Sequence, residues 1–160
     1  MHKLVLFIMM IVFYMTIFAL QIDEELAMNT LFRAKHSLNR SVHAAAQQLD
    51  GEKLARGIYS IDAQDAQTQA LVYLQENLML DTFNVPLTGS FLRSKVEVLL
   101  FEVINEEQSF PFIYSNSTYN YTVKLQRPGV IMIIQVVYPR IYNIIGPITW
   151  EIKGTAELVY

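Results

Sequence analysis

The chain has 160 residues, 52% of them apolar and 17% charged, with no Cys and a formal net charge of −3. That length suits one domain, and the apolar share excludes disorder as the main state. With 12 Lys and Arg against 15 Asp and Glu, a strongly basic nucleic-acid binder is excluded, and the lack of Cys excludes disulfides and Cys-based metal or redox sites.

Leu4 to Leu20 carries no charge, Pro or Gly. Extended to Ile22 it makes 19 residues, about 28 Å of helix against a hydrocarbon core of about 30 Å. A chain this short lacks the protein to cover such a segment on all sides, so residues 1–22 are read as a transmembrane anchor. Lys3 precedes the segment and Asp23, Glu24 and Glu25 follow it, which places the N-terminus in the cytoplasm and the rest outside. A cleaved signal peptide is the rival reading. The segment is longer than an ordinary secretory apolar region, and Ile17-Phe18-Ala19 is a poor cleavage site.

Helical patterning continues beyond the lipid. No Pro or Gly occurs from Asp23 to Leu49, and Leu31, Leu38 and Ala45 recur every seven residues with Ala34, Val42 and Leu49 between them. Residues 23–50 are therefore expected to form an amphipathic stalk, ended by Gly51. Leu31, Leu38, Val42, Ala45 and Leu49 are its candidate interaction residues, seeking another subunit or the chain's own sheet.

Residues 51–160 are expected to form an α+β domain outside the membrane. Asp62 is placed to cap a second helix, with Asp65 at the capping-box position and Ala63, Ala66, Ala70, Leu74 and Leu78 along one face. That helix should stop near Leu80, before a loop marked by Asn84, Pro86 and Gly89. Strands are expected at Lys95–Ile104, Tyr119–Gln126, Val130–Tyr138 and Thr149–Tyr160. Arg127-Pro128-Gly129 suits a type II turn, and Gly154 suggests a bulge. Val130–Tyr138, apolar except for Gln135, reads as a central strand. A second membrane segment over Val130–Ile148 is disfavoured by Pro139, Arg140, Gly146 and Pro147. The expected fold is thus α+β: a long N-terminal helix, a second helix and one antiparallel sheet of about four strands.

Chemistry-bearing constellations are sparse. His36 and His43 share a helix face, but Lys35 and Arg40 beside them repel a cation. Glu106 and Glu107 read as a solvated hairpin loop, and Asp62 and Asp65 are explained by capping. There is no nucleophile elbow and no phosphate loop, so neither enzyme activity, a metal nor a cofactor is expected. Arg33, Lys35, His36 and Arg40 form a basic stretch, either a solvated face or a contact for anionic wall polymer or lipid headgroups. Asn39, Asn116 and Asn120 begin N-x-[ST] sequons, of weak significance. Ile141, Tyr142, Ile144, Ile145 and Ile148 are either core or an assembly patch.

A lone lipid helix continuing into an amphipathic helix packed on an antiparallel sheet resembles type IV pilins and pseudopilins. Arg40-Ser-Val-His-Ala-Ala-Ala-Gln-Gln-Leu49 narrows the resemblance to the TadE/TadG-like proteins of tight-adherence pilus machinery. Arg127-Pro-Gly-Val130, Gly146-Pro-Ile-Thr-Trp150 and Lys153-Gly-Thr-Ala-Glu-Leu-Val-Tyr160 look similar to uncharacterised exported proteins of Bacillus-like bacteria. Prepilins carry a Gly or Ala cleavage site before the apolar segment and a Glu inside the mature one. Here Met1-His2-Lys3 precede Leu4, and the segment holds no Glu. The resemblance then implies an unprocessed accessory or assembly component. Its partners would be membrane lipid and other subunits of a membrane-bound assembly, with no nucleic acid. The alternative is a membrane-tethered domain binding wall polymer or a small ligand.

Overall fold

The computed structural model describes residues 2–140 and 146–159. Helix α1, His2–Ala46, is 45 residues long, about 68 Å at the ordinary rise. It is uninterrupted because its sequence contains no Gly or Pro. The anchor and the stalk are therefore one rod. The stalk ends earlier than expected, at Ala46. Gly51 does not terminate it but opens α2, Gly51–Ala55. Asp50 decides this: a carboxylate is disfavoured at a helix C-terminus, whereas as N-cap it accepts from Glu52 and Lys53 amides, both at 3.0 Å.

Helix α3, Ala63–Leu78, begins as expected. The Asp62 side chain accepts from the Gln64 and Asp65 amides at 2.9 Å. Met79 in the left-handed conformation closes it. Ala66, Ala70, Leu74 and Leu78 are buried, while Ala63 is exposed.

Five strands follow: β1 Glu97–Ile104, β2 Phe112–Asn116, β3 Tyr121–Leu125, β4 Gly129–Tyr138 and β5 Ile148–Glu157. They form two antiparallel sheets, β1-β4-β5 and β2-β3, rather than one sheet of four. β2 escaped the sequence reading because it is short and ends in Ser115-Asn116, polar residues that look like loop. β4 is the central strand, buried on both faces. Val130, Met132, Ile134 and Val136 join α1 and α3 in the main core. Ile131 points the other way, to Tyr114 and Leu125 of the β2–β3 ribbon. The idea of a membrane segment beginning at Val130 gives way to this strand.

Two glycine expectations are corrected. Gly129 does not supply the positive φ of a type II turn; it pairs with Ile104 and Glu157 as the first residue of β4. A Cβ there would lie 2.7 Å from the Ala156 carbonyl oxygen. Gly154 sits in regular register opposite Met132, and the irregularity falls in β1 between Val98 and Leu100. Its role is close approach: a Cβ on Gly154 would lie 2.8 Å from Leu38 Cγ. The stalk rests directly on the β5 backbone at this point. Ile141, Tyr142, Ile144 and Ile145 lie outside the described residues, so the choice between core and patch applies only to Ile148, half-buried at the start of β5.

Candidate membrane-proximal interaction surface

The N-terminal half of α1 has a mean hydropathy of 2.5 over its most apolar window, none of it buried. It is long and apolar enough to span a membrane. Where it meets the domain, the acids that set the expected orientation are engaged from the far end of the chain. Asp23 is 1% exposed. Tyr138 Oη donates to Asp23 Oδ1 at 3.1 Å, and Arg140 Nη1 lies 3.3 Å from Asp23 Oδ2 and 2.9 Å from Glu24 Oε1. Burial pushes the Tyr138 hydroxyl pKa up, and its bond to Asp23 adds to that. A buried carboxylate needs such a cation, since an unpaired buried charge is strongly unfavourable. The collar also ties α1 rotationally to the end of β4. Neither Tyr138 nor Arg140 was singled out as a partner of Asp23, because sequence separation of 115 to 117 residues leaves no local signal.

The candidate interaction stripe is placed inside the molecule. Leu38, Val42 and Ala45 are fully buried against the sheet and α3, and Leu31 is half-buried against the same core. Leu49 lies past the helix end and bridges Ile61. Within this set Leu38, Val42 and Ala45 are covered by the chain's own elements, whereas Leu31 and Leu49 keep part of their surface open. The chain's own strands and α3 cover the stripe, since a seven-residue apolar repeat on a short stalk is satisfied by whichever apolar surface folds onto it.

The apolar surface left open lies elsewhere. Leu26, Met28 and Phe32 continue the bare surface of α1 beyond its apolar run. Phe32 borders a shallow groove with Lys35, Tyr121, Trp150 and Ile152. A second exposed group is Met79, Phe83, Val85 and Leu87 in the loop after α3.

The basic stretch is neither wholly solvated nor wholly free. Arg33 places its guanidinium 3.9 Å from the centre of the Phe91 ring. Lys35 Nζ donates to the Lys153 carbonyl, and burial lowers its pKa. Arg40 Nη1 donates to Asn77 Oδ1 at 2.9 Å. Arg93, which the sequence reading passed over as loop, joins Arg33 on the wall of one hollow.

The remaining candidates are structural. His36 and His43 are exposed, and no group of His, Asp and Glu able to hold a metal occurs among the described residues. Glu106 is not simply a solvated loop residue. Lys53 Nζ of α2 lies 2.6 Å from its Oε1, and that bond holds its carboxyl down at about 2. Asn105 beside it grips the Ile61 backbone N–H and C=O, both at 2.9 Å. The loop thus fastens the sheet to the start of α3. Of the sequon residues, Asn39 is half-buried on α1, Asn116 ends β2, and Asn120 takes a positive φ of 44° in the turn before β3.

Comparison with protein-family models, with curated proteins and with solved structures finds no match for this chain.

Proposed function

We propose that this chain is a single-pass membrane-anchored structural or assembly protein. It holds its N-terminus in the cytoplasm and its α+β domain outside, as an accessory, pseudopilin-like component of a pilus or secretion apparatus. One observation carries this reading: α1 is a single unbroken helix, bare through its first half and sealed into the domain through its second. Such a rod transmits position and rotation from the bilayer to the domain, and the Asp23–Arg140 collar stiffens the junction. The resemblance of the Arg- and Ala-rich stretch to TadE/TadG-like proteins supports the pilus setting. Association would use lipid-exposed residues such as Phe18 and the continuing surface at Met28 and Phe32, not the buried stripe.

The test is photocrosslinking in intact membranes, with the photoreactive residue at Phe18, Phe32 or Val42 in separate samples. Phe18 and Phe32 should give products with a second protein or a second copy. Val42 should react only within its own chain. Intermolecular product at Val42, or none at either Phe position, would overturn the assembly reading as stated. A monomer in the second case would favour the tethered binding domain, which the basic hollow beside Arg33 also favours.

A further inference from the structure

We propose that the hollow between α1, the 91–93 segment and the end of β4 binds the phosphate of an anionic lipid headgroup in the leaflet facing the domain. The inference rests on the anchored reading above, but not on the pilus setting.

The hollow measures about 260 Å³ and is lined by Leu26, Asn29, Arg33, Phe91, Arg93 and Tyr138, among others. A second hollow adjoins it beyond the Arg33–Phe91 stack, with His36, Arg40 and Asn77 on its wall. Among the described residues, no Asp or Glu lines either one. Neither Arg33 nor Arg93 has an ion-pair partner among the described residues. Two forked cations lining one hollow, without an acid between them, make it a region of positive potential that attracts an anion. Guanidinium groups match phosphate oxygens bidentately. The stacked Phe91 ring holds Arg33 in place, so less freedom is lost when an anion arrives.

Depth along the helix selects the source of that phosphate. The apolar run ends at Ile22, so Leu26, Asn29 and Arg33 follow at about 6, 10 and 16 Å. The headgroup layer extends about 5 to 8 Å beyond the hydrocarbon. Leu26 thus falls within that layer, whereas Asn29 and Arg33 lie above it with side chains leaning back toward it, and the hollow that runs from Leu26 to Arg33 admits a headgroup from below. Exposed Leu26 at the base offers apolar contact for the start of an acyl chain. Asp23 and Glu24, which would repel a phosphate, are engaged by Arg140. Glu25 lies one turn below Asn29 and does not line the hollow.

The test uses the full chain in detergent micelles, with native mass spectrometry reading bound lipid. Phosphatidylglycerol is titrated against phosphatidylcholine, and inorganic phosphate is added as a free competitor. Phosphatidylglycerol should bind selectively, and Arg33→Gln with Arg93→Gln should weaken it by about tenfold or more. Arg33→Lys with Arg93→Lys should recover part of the loss, and Lys124→Gln on the exposed face of β3 should change nothing. Thermal unfolding of each variant checks that the fold is retained. Equal binding of the two lipids, or phosphatidylglycerol binding indifferent to the Gln pair, overturns the proposal. Displacement by inorganic phosphate at comparable concentration also overturns it, by making a free phosphate the ligand. Extraction of the chain from membranes by alkaline carbonate would instead defeat the anchored reading. These failures are therefore distinguishable.

Discussion

Residues 4–22 and residues 27–46 belong to the same helix, yet their surroundings are opposite. The first set is apolar all round and bare all round. The second is apolar along one stripe, and that stripe is closed off by β4, β5 and α3. The apolar period distinguishes the two environments: side chains on every face need lipid, and a single stripe needs protein. The lesson is that continuity of helix does not mean continuity of role. Sealing the stripe leaves only the opposite face of the stalk for other molecules.

The contrast can be broken most sharply by charging each half. Leu38→Glu together with Val42→Glu puts two carboxylates where both native side chains are fully buried. A loss above about 5 kcal/mol is expected, abolishing the cooperative thermal transition of the full chain in detergent. Phe13→Ala in the bare half should leave that transition in place. A double variant that still unfolds cooperatively at the native temperature would mean the stripe is not core.

The junction between the halves is the next target. Arg140→Ala removes a cation that lies 3.3 Å from the buried Asp23 carboxylate, and a measurable loss of stability is expected. Adding Asp23→Asn should restore part of it. Denaturant unfolding with both variants measures this, and a single variant indistinguishable from the native chain would show the collar to be unimportant.

The contact at Gly154 tests how closely the sealed half rests on the sheet. Gly154→Ala drives a methyl against Leu38 and should destabilise by about 1 to 3 kcal/mol. Leu38→Ala alone should lose about 2 to 5 kcal/mol through the cavity it leaves. Combined, they should lose about 1 kcal/mol less than their sum, because each relieves the other. Strict additivity would place the methyl elsewhere.

The smallest effect lies at the Lys53–Glu106 pair, away from the apolar half of α1. This half-exposed pair should contribute only slightly to stability, as solvent-screened ion pairs do. Glu106 is lowered from 4.5 to about 2, so its share is present above pH 4.5 and fades as pH falls toward 2. Lys53 is raised above 10.5 by the same bond, so its share is lost only as pH rises beyond that. Glu106→Gln should therefore unfold earlier than the native chain at neutral pH and match it near pH 2. A gap that persists undiminished in acid would assign the effect to packing instead.

Much of the architecture is written locally. The apolar run to Ile22, the seven-residue stripe, the Asp62 cap and the unbroken apolar Val130–Tyr138 strand each depend on neighbours within a few residues. The α+β class follows from their order. The division into three and two strands does not, because β2 earns its pairing from β3 and from Leu125 and Ile131 behind it. The exchange of Gly51 from helix stop to helix start turned on Asp50, whose cap has two possible readings until the chain bends back and Ser60 accepts from the Asp50 amide.

The candidate surface was the least legible part. A stripe announces that it will be covered, never by what, since burial is non-directional and any apolar surface will do. Asp23 found Tyr138 and Arg140, Arg33 found Phe91, and Arg93 came to line the same hollow as Arg33, only through tertiary folding. Charge pairs across such separations are set by where strands end, and strand ends depend on the whole sheet. The sequence by itself thus determined the apolar N-terminal run, the helical stalk and the strand-rich remainder, because period and propensity are local. The tertiary structure decided which face of the stalk was sealed and which charges were brought together, because both depend on contacts between distant segments.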